Sequence, residues 1–274
     1  MPELPEVEVC RRGILPELAG QTITAAVVRF PRLRREIPPD LDRLLVGRRI
    51  ANIVRRGKYL LFDCAIAESP GWLVLHLGMS GNLRFVGVGD TPGRHDHFDL
   101  VAGGRILRYS DPRRFGLIDW HAGPIDRHPL IAGLGIEPLS PAFDGEWLYR
   151  ASRGRKAPIK AMLMDACQIV GIGNIYAAES LFRAGISPLR AAGLMSRTGC
   201  VRLVAEIRQT LQEAIAAGGS SIRDYIHSDG GAGCFQLEYA VYGRTGQDCR
   251  HCGGTVKQVR QSGRSSFFCP GCQK

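Results

Sequence analysis

Apolar residues in the first half of this chain fall in short runs, broken at close intervals by Gly, Pro or Asp. Such runs predict strands over Thr22–Phe30, Arg49–Val54, Lys58–Asp63, Trp72–Leu77, Asn82–Val86, Phe98–Val101 and Arg105–Tyr109. No helical pattern intervenes, so they predict an antiparallel sandwich or barrel over roughly the first 130 residues. Gly103-Gly104 reads as a hairpin turn within it. One helix leads the block, opening at Pro5 and running through Glu8, Arg11 and Leu15. Beyond Pro138 the period becomes helical, over Gly145–Ser152, Pro158–Ala166, Asn174–Ala184 and Arg197–Ala217. The pattern predicts a multidomain α+β chain: an N-terminal antiparallel β-sandwich with a leading helix, a helical domain, and a closing hairpin. At 274 residues the chain has room for more than one core. The expected divisions are 1–135, 136–235 and 236–274, the first boundary falling in the Gly- and Pro-containing segment 133–145.

Nine cysteines sharpen the C-terminal end of this picture. The acidic start has no signal-peptide character, so they read as thiols or metal ligands rather than disulfides. Cys249-x2-Cys252, sixteen residues, then Cys269-x2-Cys272 fits a two-knuckle zinc site, each pair gripping one side of a tetrahedral ion. One structural Zn2+ is expected there, although iron also suits four thiolates. Thr255–Val259 and Ser265–Phe268 read as two short strands of this finger, with Gly263 in the turn. Cys10, Cys64, Cys167, Cys200 and Cys234 lack such spacing and read as small core or surface residues.

A formal net charge of +10 points to a polyanion partner, without separating DNA from RNA or a membrane surface. No window approaches the roughly 18 continuous apolar residues of a membrane span. A cytoplasmic monomer with no membrane partner is therefore expected. Only five of the 36 basic residues are lysines, which makes Lys58, at the head of an apolar strand, conspicuous. It reads either as a cleft-facing cation or as an edge lysine that discourages strand pairing.

The first residues, Met1-Pro2-Glu3-Leu4-Pro5-Glu6, carry the most reactive candidate chemistry. Removal of Met1 leaves a proline secondary amine beside a carboxylate. An α-amino group titrates near about 7.7 to 8.0, and the positive end of the following helix depresses that further, so it is a nucleophile near neutrality. Taken alone, the two prolines and acids also fit a stiffened helix cap. Val170-Gly171-Ile172-Gly173-Asn174 joins two helical stretches, which excludes a dinucleotide fingerprint and leaves a tight turn whose Asn174 caps a helix or meets a phosphate. Arg155, Lys156 and Lys160 lie just upstream. Asp111-Pro112-Arg113-Arg114-Phe115-Gly116 places two arginines and an aromatic in a turn, and Met79 sits in a second loop, His76–Gly81. Such side chains fill the gap left when a base is extruded from a duplex, although singly Met79 and Phe115 also fit a core and the arginines a solvated turn. His95-Asp96-His97 has no further ligand cluster and reads as phosphate contact or plain structure.

Taken together and in order, PELPEVE (2–8), GKYLLF (57–62), HLGMSG (76–81), DPRRFG (111–116), VGIGNIYA (170–177) and the four-cysteine finger resemble bacterial formamidopyrimidine-DNA glycosylases over essentially the whole chain. The resemblance implies a β-sandwich, a helix–two turns–helix module and a zinc finger, with double-stranded DNA bound between domains. It implies that the Pro2 nitrogen attacks C1′ of an oxidised purine nucleotide, that Glu3 assists proton transfer, and that β,δ-elimination then cleaves the strand. By the same resemblance Lys58 and Arg264 contact backbone and aid elimination, while Met79, Arg113 and Phe115 fill the void, Arg113 facing the orphaned base. His95, Arg155, Lys160 and Asn174 fall at phosphate contacts. Ser220–Phe235 resembles the loop over the extruded base, with Arg223 and Cys234 departing from the family pattern. Two rivals remain: an endonuclease VIII-type enzyme for oxidised pyrimidines, and a zinc-finger protein that binds damaged DNA without cutting it.

Overall fold

The computed structural model describes residues 2–66, 69–219 and 239–274. They form two compact units, one on 2–132 with 217–219, the other on 133–216 with 239–274. The first unit holds two four-stranded antiparallel sheets. One sheet is ordered β2 (Arg49–Arg56), β3 (Tyr59–Ala65), β4 (Gly71–His76), β8 (Leu117–Ala122). The other runs β1 (Ile23–Val28), β6 (Asp96–Ala102), β7 (Arg105–Ser110), β5 (Asn82–Val86). Ile53, Leu60, Phe62, Leu73 and Leu75 from one sheet share a core with Leu83, Phe98, Leu100, Leu107 and Tyr109 from the other. The β-sandwich expected from the sequence is therefore present. Gly103 and Gly104, at φ +56° and +74°, make the β6–β7 turn, where two consecutive left-handed residues suit the strand twist. Strand β8 and a short helix α2 (Leu41–Leu45) were not anticipated. β8 takes its pairing from β4, Leu117 opposite His76 through Ala122 opposite Gly71, and a partner so distant in sequence leaves no local signal.

Helix α1 (Leu4–Leu18) begins one residue earlier than Pro5. Glu3 caps it in an extended conformation and exchanges hydrogen bonds with Glu6: the Glu3 N–H donates to Glu6 Oε2 at 2.7 Å, and the Glu3 carboxylate accepts from the Glu6 N–H. Val7, Cys10, Ile14 and Leu18, on one helical face, enter the sandwich core. Glu8 emerges beside three guanidiniums, 2.8 Å from Arg11, 2.9 Å from Arg12 and 3.2 Å from Arg55 on β2. Arg55 in turn donates to the carbonyl of Gly57, 3.0 Å away in the β2–β3 turn. The helix is thus tethered to the turn that carries Lys58.

In the second unit, α3 (Gly145–Ser152) starts at Asp144, whose carboxylate accepts from the Trp147 N–H at 2.7 Å. α4 (Ile159–Leu163) is shorter than expected, because Asp165 turns to accept from the Cys167 N–H at 3.0 Å and breaks the helix. α5 (Asn174–Arg183) and α6 (Arg197–Ala216) match their expected spans to within a residue. The α5 cap is Gly173 rather than Asn174, whose side chain is engaged elsewhere. β9 (Lys257–Gln261) and β10 (Arg264–Phe268) form the terminal hairpin, its turn at Ser262 and Gly263 having φ +47° and +77°. Cys249, Cys269, Val256 and Val241 pack with Ala178 of α5, so the finger shares a core with the helices.

The four expected ligands converge: the sulfurs of Cys249, Cys252, Cys269 and Cys272 all lie within 4.8 Å of one another. The Cys249–Cys272 and Cys252–Cys269 separations are 3.8 and 3.5 Å. A tetrahedron with arms of about 2.3 Å has edges of about 3.8 Å, so the cluster fits one zinc. His251 Nδ1 lies 3.3 Å from Cys272 Sγ, placed to donate to a ligand thiolate.

Two expectations follow. Burial alone would raise the Glu8 carboxyl, but hydrogen bonds and charge from Arg11, Arg12 and Arg55 bring it from the ordinary 4.5 to about 2. Its stabilising contribution is complete above the ordinary value and disappears as pH falls toward 2. Denaturant titrations should therefore find Glu8→Gln less stable than wild type by about 2 kcal/mol near neutrality, with the gap closing below pH 4.5. A gap independent of pH would contradict the assignment. For the finger, native mass spectrometry should find one zinc per chain, and Cys252→Ala should lose it together with cooperative melting of the hairpin. Full zinc retention in that variant would contradict the cluster.

Candidate nucleic-acid interface

Pro2 is buried at the head of α1, and Glu3 beside it is only 2% exposed. The main chain of Glu3 is fixed by its reciprocal bonds with Glu6, so the terminus is held by the helix rather than trailing from it. α1 packs on β2 and β3, the two strands that the Lys58 turn joins. Lys58 is half-buried in that turn, one residue before the strand the sequence pattern gave it. Its charge reaches His76: burial, then the charges of Arg34 and Lys58, push the His76 imidazole down to about 3. His76 therefore stays neutral, its ring tilted against Tyr59 with centroids 4.8 Å apart and its Nδ1 accepting from the Gly78 N–H at 2.9 Å. Nothing in the sequence marked this histidine apart from its place in the HLGMSG segment.

Met79 and Phe115, expected as void-fillers, are exposed at 37% and 45%, which excludes a core role for either. Arg113 is exposed as well and stacks over Phe115, its guanidinium carbon 4.9 Å from the ring centroid. The loops carrying them touch backbone to backbone. Gly78 lies at φ +63°, and a Cβ there would stand 2.4 Å from the Gly116 nitrogen. Arg114, at φ +57°, turns away from Arg113 and covers Phe30 at 3.9 Å. His95 is half-buried, and its Nδ1 carries no hydrogen bond.

The second unit gathers Lys160, Asn174 and the terminal hairpin. Lys160 is 3% exposed, and its ammonium donates to Asn174 Oδ1 at 2.6 Å, the Ser265 carbonyl at 3.0 Å and Ser266 Oγ at 2.7 Å. Asn174 Nδ2 donates to the same Ser265 carbonyl at 3.0 Å. Three elements, α4, the start of α5 and β10, meet at one ammonium. Beside it a cavity of about 170 Å³ is lined by Lys160, Asp165, Ser262, Arg264 and Ser266. Arg264 is exposed at the head of β10. Arg155 is half-buried, donating to the Ala151 carbonyl and, at 2.8 Å, to Gln168 Oε1. Arg223, Cys234 and the rest of the segment 220–235 lie outside the described residues. Among those described, no helix is long and apolar enough to cross a membrane.

Comparison with known proteins places this geometry. The model of the formamidopyrimidine-DNA glycosylase N-terminal domain matches residues 1–118, that of the glycosylase's helix–two turns–helix domain 134–226, and that of a zinc finger shared with isoleucyl-tRNA synthetases 246–274. A curated formamidopyrimidine-DNA glycosylase from Dechloromonas aromatica is 62% identical, with all of both chains covered. A solved MutM in complex with DNA containing carbocyclic 8-oxo-G superposes with TM-score 0.89 at 33% identity, covering all of both chains. The Lactococcus lactis Fpg solved with DNA containing an oxidised pyrimidine gives 0.89 at 32%, again with all of both chains covered. The chain belongs to the formamidopyrimidine-DNA glycosylase family.

Proposed function

We propose that this protein is a base-excision repair enzyme that extrudes oxidised purines, 8-oxoguanine and formamidopyrimidines, from DNA and removes them through an imine on Pro2. The observation that carries the reading is a proline buried at a helix head, next to a carboxylate locked by that helix's cap, in a member of this family that aligns with all of its relative's length. Once Met1 is removed, the Pro2 nitrogen bonds to C1′ while the bond from C1′ to the base breaks. The base leaves with a proton, the nitrogen gives up its own, and the sugar ring then opens: the C1′–O4′ bond breaks, O4′ takes a proton, and the nitrogen and C1′ share an iminium. Glu3 is the group placed to move protons at the sugar and base. The iminium acidifies the C2′ hydrogens, so loss of one expels the 3′ phosphate. A second elimination expels the 5′ phosphate, and hydrolysis of the imine returns the amine.

Lys58 and Arg264 aid these eliminations at the backbone, and His95, Arg155, Lys160 and Asn174 set register at phosphates. For Lys160 the internal bonds to Asn174 and the hairpin support an indirect part, positioning Asn174 and Arg264. Met79, Arg113 and Phe115 fill the space vacated by the extruded base, with Arg113 toward the orphaned partner; their shared exposure on two abutting loops supports this. In this reading the sandwich of 1–135 carries the nucleophile, while 136–235 and the finger of 236–274 grip the duplex. The Lactococcus complex with an oxidised pyrimidine favours testing that substrate class beside purines.

Borohydride trapping on a duplex with 8-oxoguanine opposite cytosine should give a covalent protein–DNA band with wild type and none with Pro2→Gly. Trapping confined to an oxidised-pyrimidine duplex would replace the purine reading by the endonuclease VIII-type one. No trapping on either duplex would leave a protein that binds damage without acting on it.

A further inference from the structure

Asp111 opens the loop that carries Arg113 and Phe115, yet it is fully buried. Its carboxylate is surrounded by neutral donors. Oδ1 accepts from Ser80 Oγ at 2.6 Å and from the Arg113 N–H at 3.3 Å. Oδ2 accepts from the Gly116 N–H at 2.8 Å and from the Tyr109 hydroxyl at 3.4 Å. Burial and the neighbouring Asp111 charge raise the Tyr109 phenol well above its ordinary value, so it remains a donor throughout the physiological range. The main chain of Asp111 is fixed too, its N–H donating to the His95 carbonyl at 3.0 Å and its own carbonyl meeting His97 Nε2 at 2.9 Å.

These bonds reach both loops of the exposed set. Ser80 directly follows Met79, Arg113 is held by its own amide, and Gly116 directly follows Phe115. The Gly116 carbonyl is closed off in turn by the Arg34 N–H at 3.2 Å. A neutral hydroxyl or amide bonded to a buried carboxylate stands in a fixed direction, and losing the acceptor strands several donors at once.

Building on the function proposed above, we propose that Asp111 is the positioning residue for void-filling: its carboxylate sets the spacing of Met79, Arg113 and Phe115, and through it the efficiency of excision and the choice of opposite base. Asp111 touches no substrate. Asp111→Asn preserves shape but replaces one acceptor oxygen by an amide that faces donors, so the two loops lose their common register.

The test compares two substrates. A duplex with 8-oxoguanine requires extrusion and leaves an orphaned base, whereas a single-stranded abasic-site oligonucleotide has neither and needs the Pro2 amine and the elimination steps but no void-filling. Asp111→Asn should lower excision from the duplex about tenfold or more, narrow the ratio of rates opposite cytosine and adenine, and leave single-stranded cleavage within about twofold of wild type. Ser80→Ala removes one donor and should move the duplex rate and the ratio in the same direction by less. Equal losses of Asp111→Asn on both substrates, with Ser80→Ala unchanged on the duplex, would overturn the proposal, as would an unaltered cytosine-to-adenine ratio in both variants. Failure of wild type to excise from the duplex would instead refute the proposed function, because that result does not involve Asp111.

Discussion

The hydrogen-bond exchange between Glu3 and Glu6 is the constraint on which the proposed chemistry depends. A chain terminus is ordinarily the least ordered part of a domain, and an amine there has many orientations to lose before it can attack one carbon atom. Here the helix begins two residues after Pro2 and is anchored at both levels. Its cap fixes the main chain of Glu3, and its apolar face joins the sandwich core through Val7, Cys10, Ile14 and Leu18. The ion cluster around Glu8 adds a lateral tie, since Arg55 bridges that carboxylate to the turn bearing Lys58. Flexibility that a free terminus would retain has been removed by folding, before any substrate arrives.

The same economy governs the charges. The chain is strongly basic, yet many of its arginines are committed internally. Burial would raise the Asp99 carboxyl, but Arg108 and Arg29 hold it below the ordinary range, and Ser110, Gly93 and Arg84 do the same for Asp96. Arg108, 4% exposed at its side chain, pairs with both acids. Net charge is therefore a poor map of where a polyanion binds. Of the cations left at the surface, Arg113 lies in the loop that Asp111 opens, and Arg264 heads β10 directly after the left-handed pair Ser262 and Gly263.

Local chemistry was legible in the sequence. Cysteine spacing located the metal cluster, Gly103-Gly104 and Gly263 located two hairpin turns, and alternation located most strands of the sandwich. What escaped was set by distant partners. Leu117–Ala122 became a strand because β4 lay open beside it, and α4 stopped early because Asp165 found a nearer amide. Asn174 resembled a helix cap, but the Ser265 carbonyl and the Lys160 ammonium claimed its amide. Asp111 resembled an ordinary turn residue ahead of a proline, and its complete burial depends on Ser80 and Tyr109, which no spacing rule connects to it. Polar residues were readable as types and unreadable as partners.

Lys160 and Asp111 meet that problem in opposite charge but by one physical route. Each is a fully or nearly fully buried charge whose bonds run to segments far apart in sequence, the ammonium to α5 and the finger, the carboxylate to two loops. Burying a charge is costly unless every lone pair or proton finds a partner, so such a group is stable in one arrangement and expensive in any other. An apolar contact in the same place would tolerate sliding by a fraction of an ångström. A charge ringed by aligned dipoles does not. Under the proposed function, exposed side chains that meet a phosphate or fill a vacated space within about 0.5 Å gain more from that intolerance than from added hydrophobic area. This explains why the polar hubs lie beneath the exposed residues rather than among them.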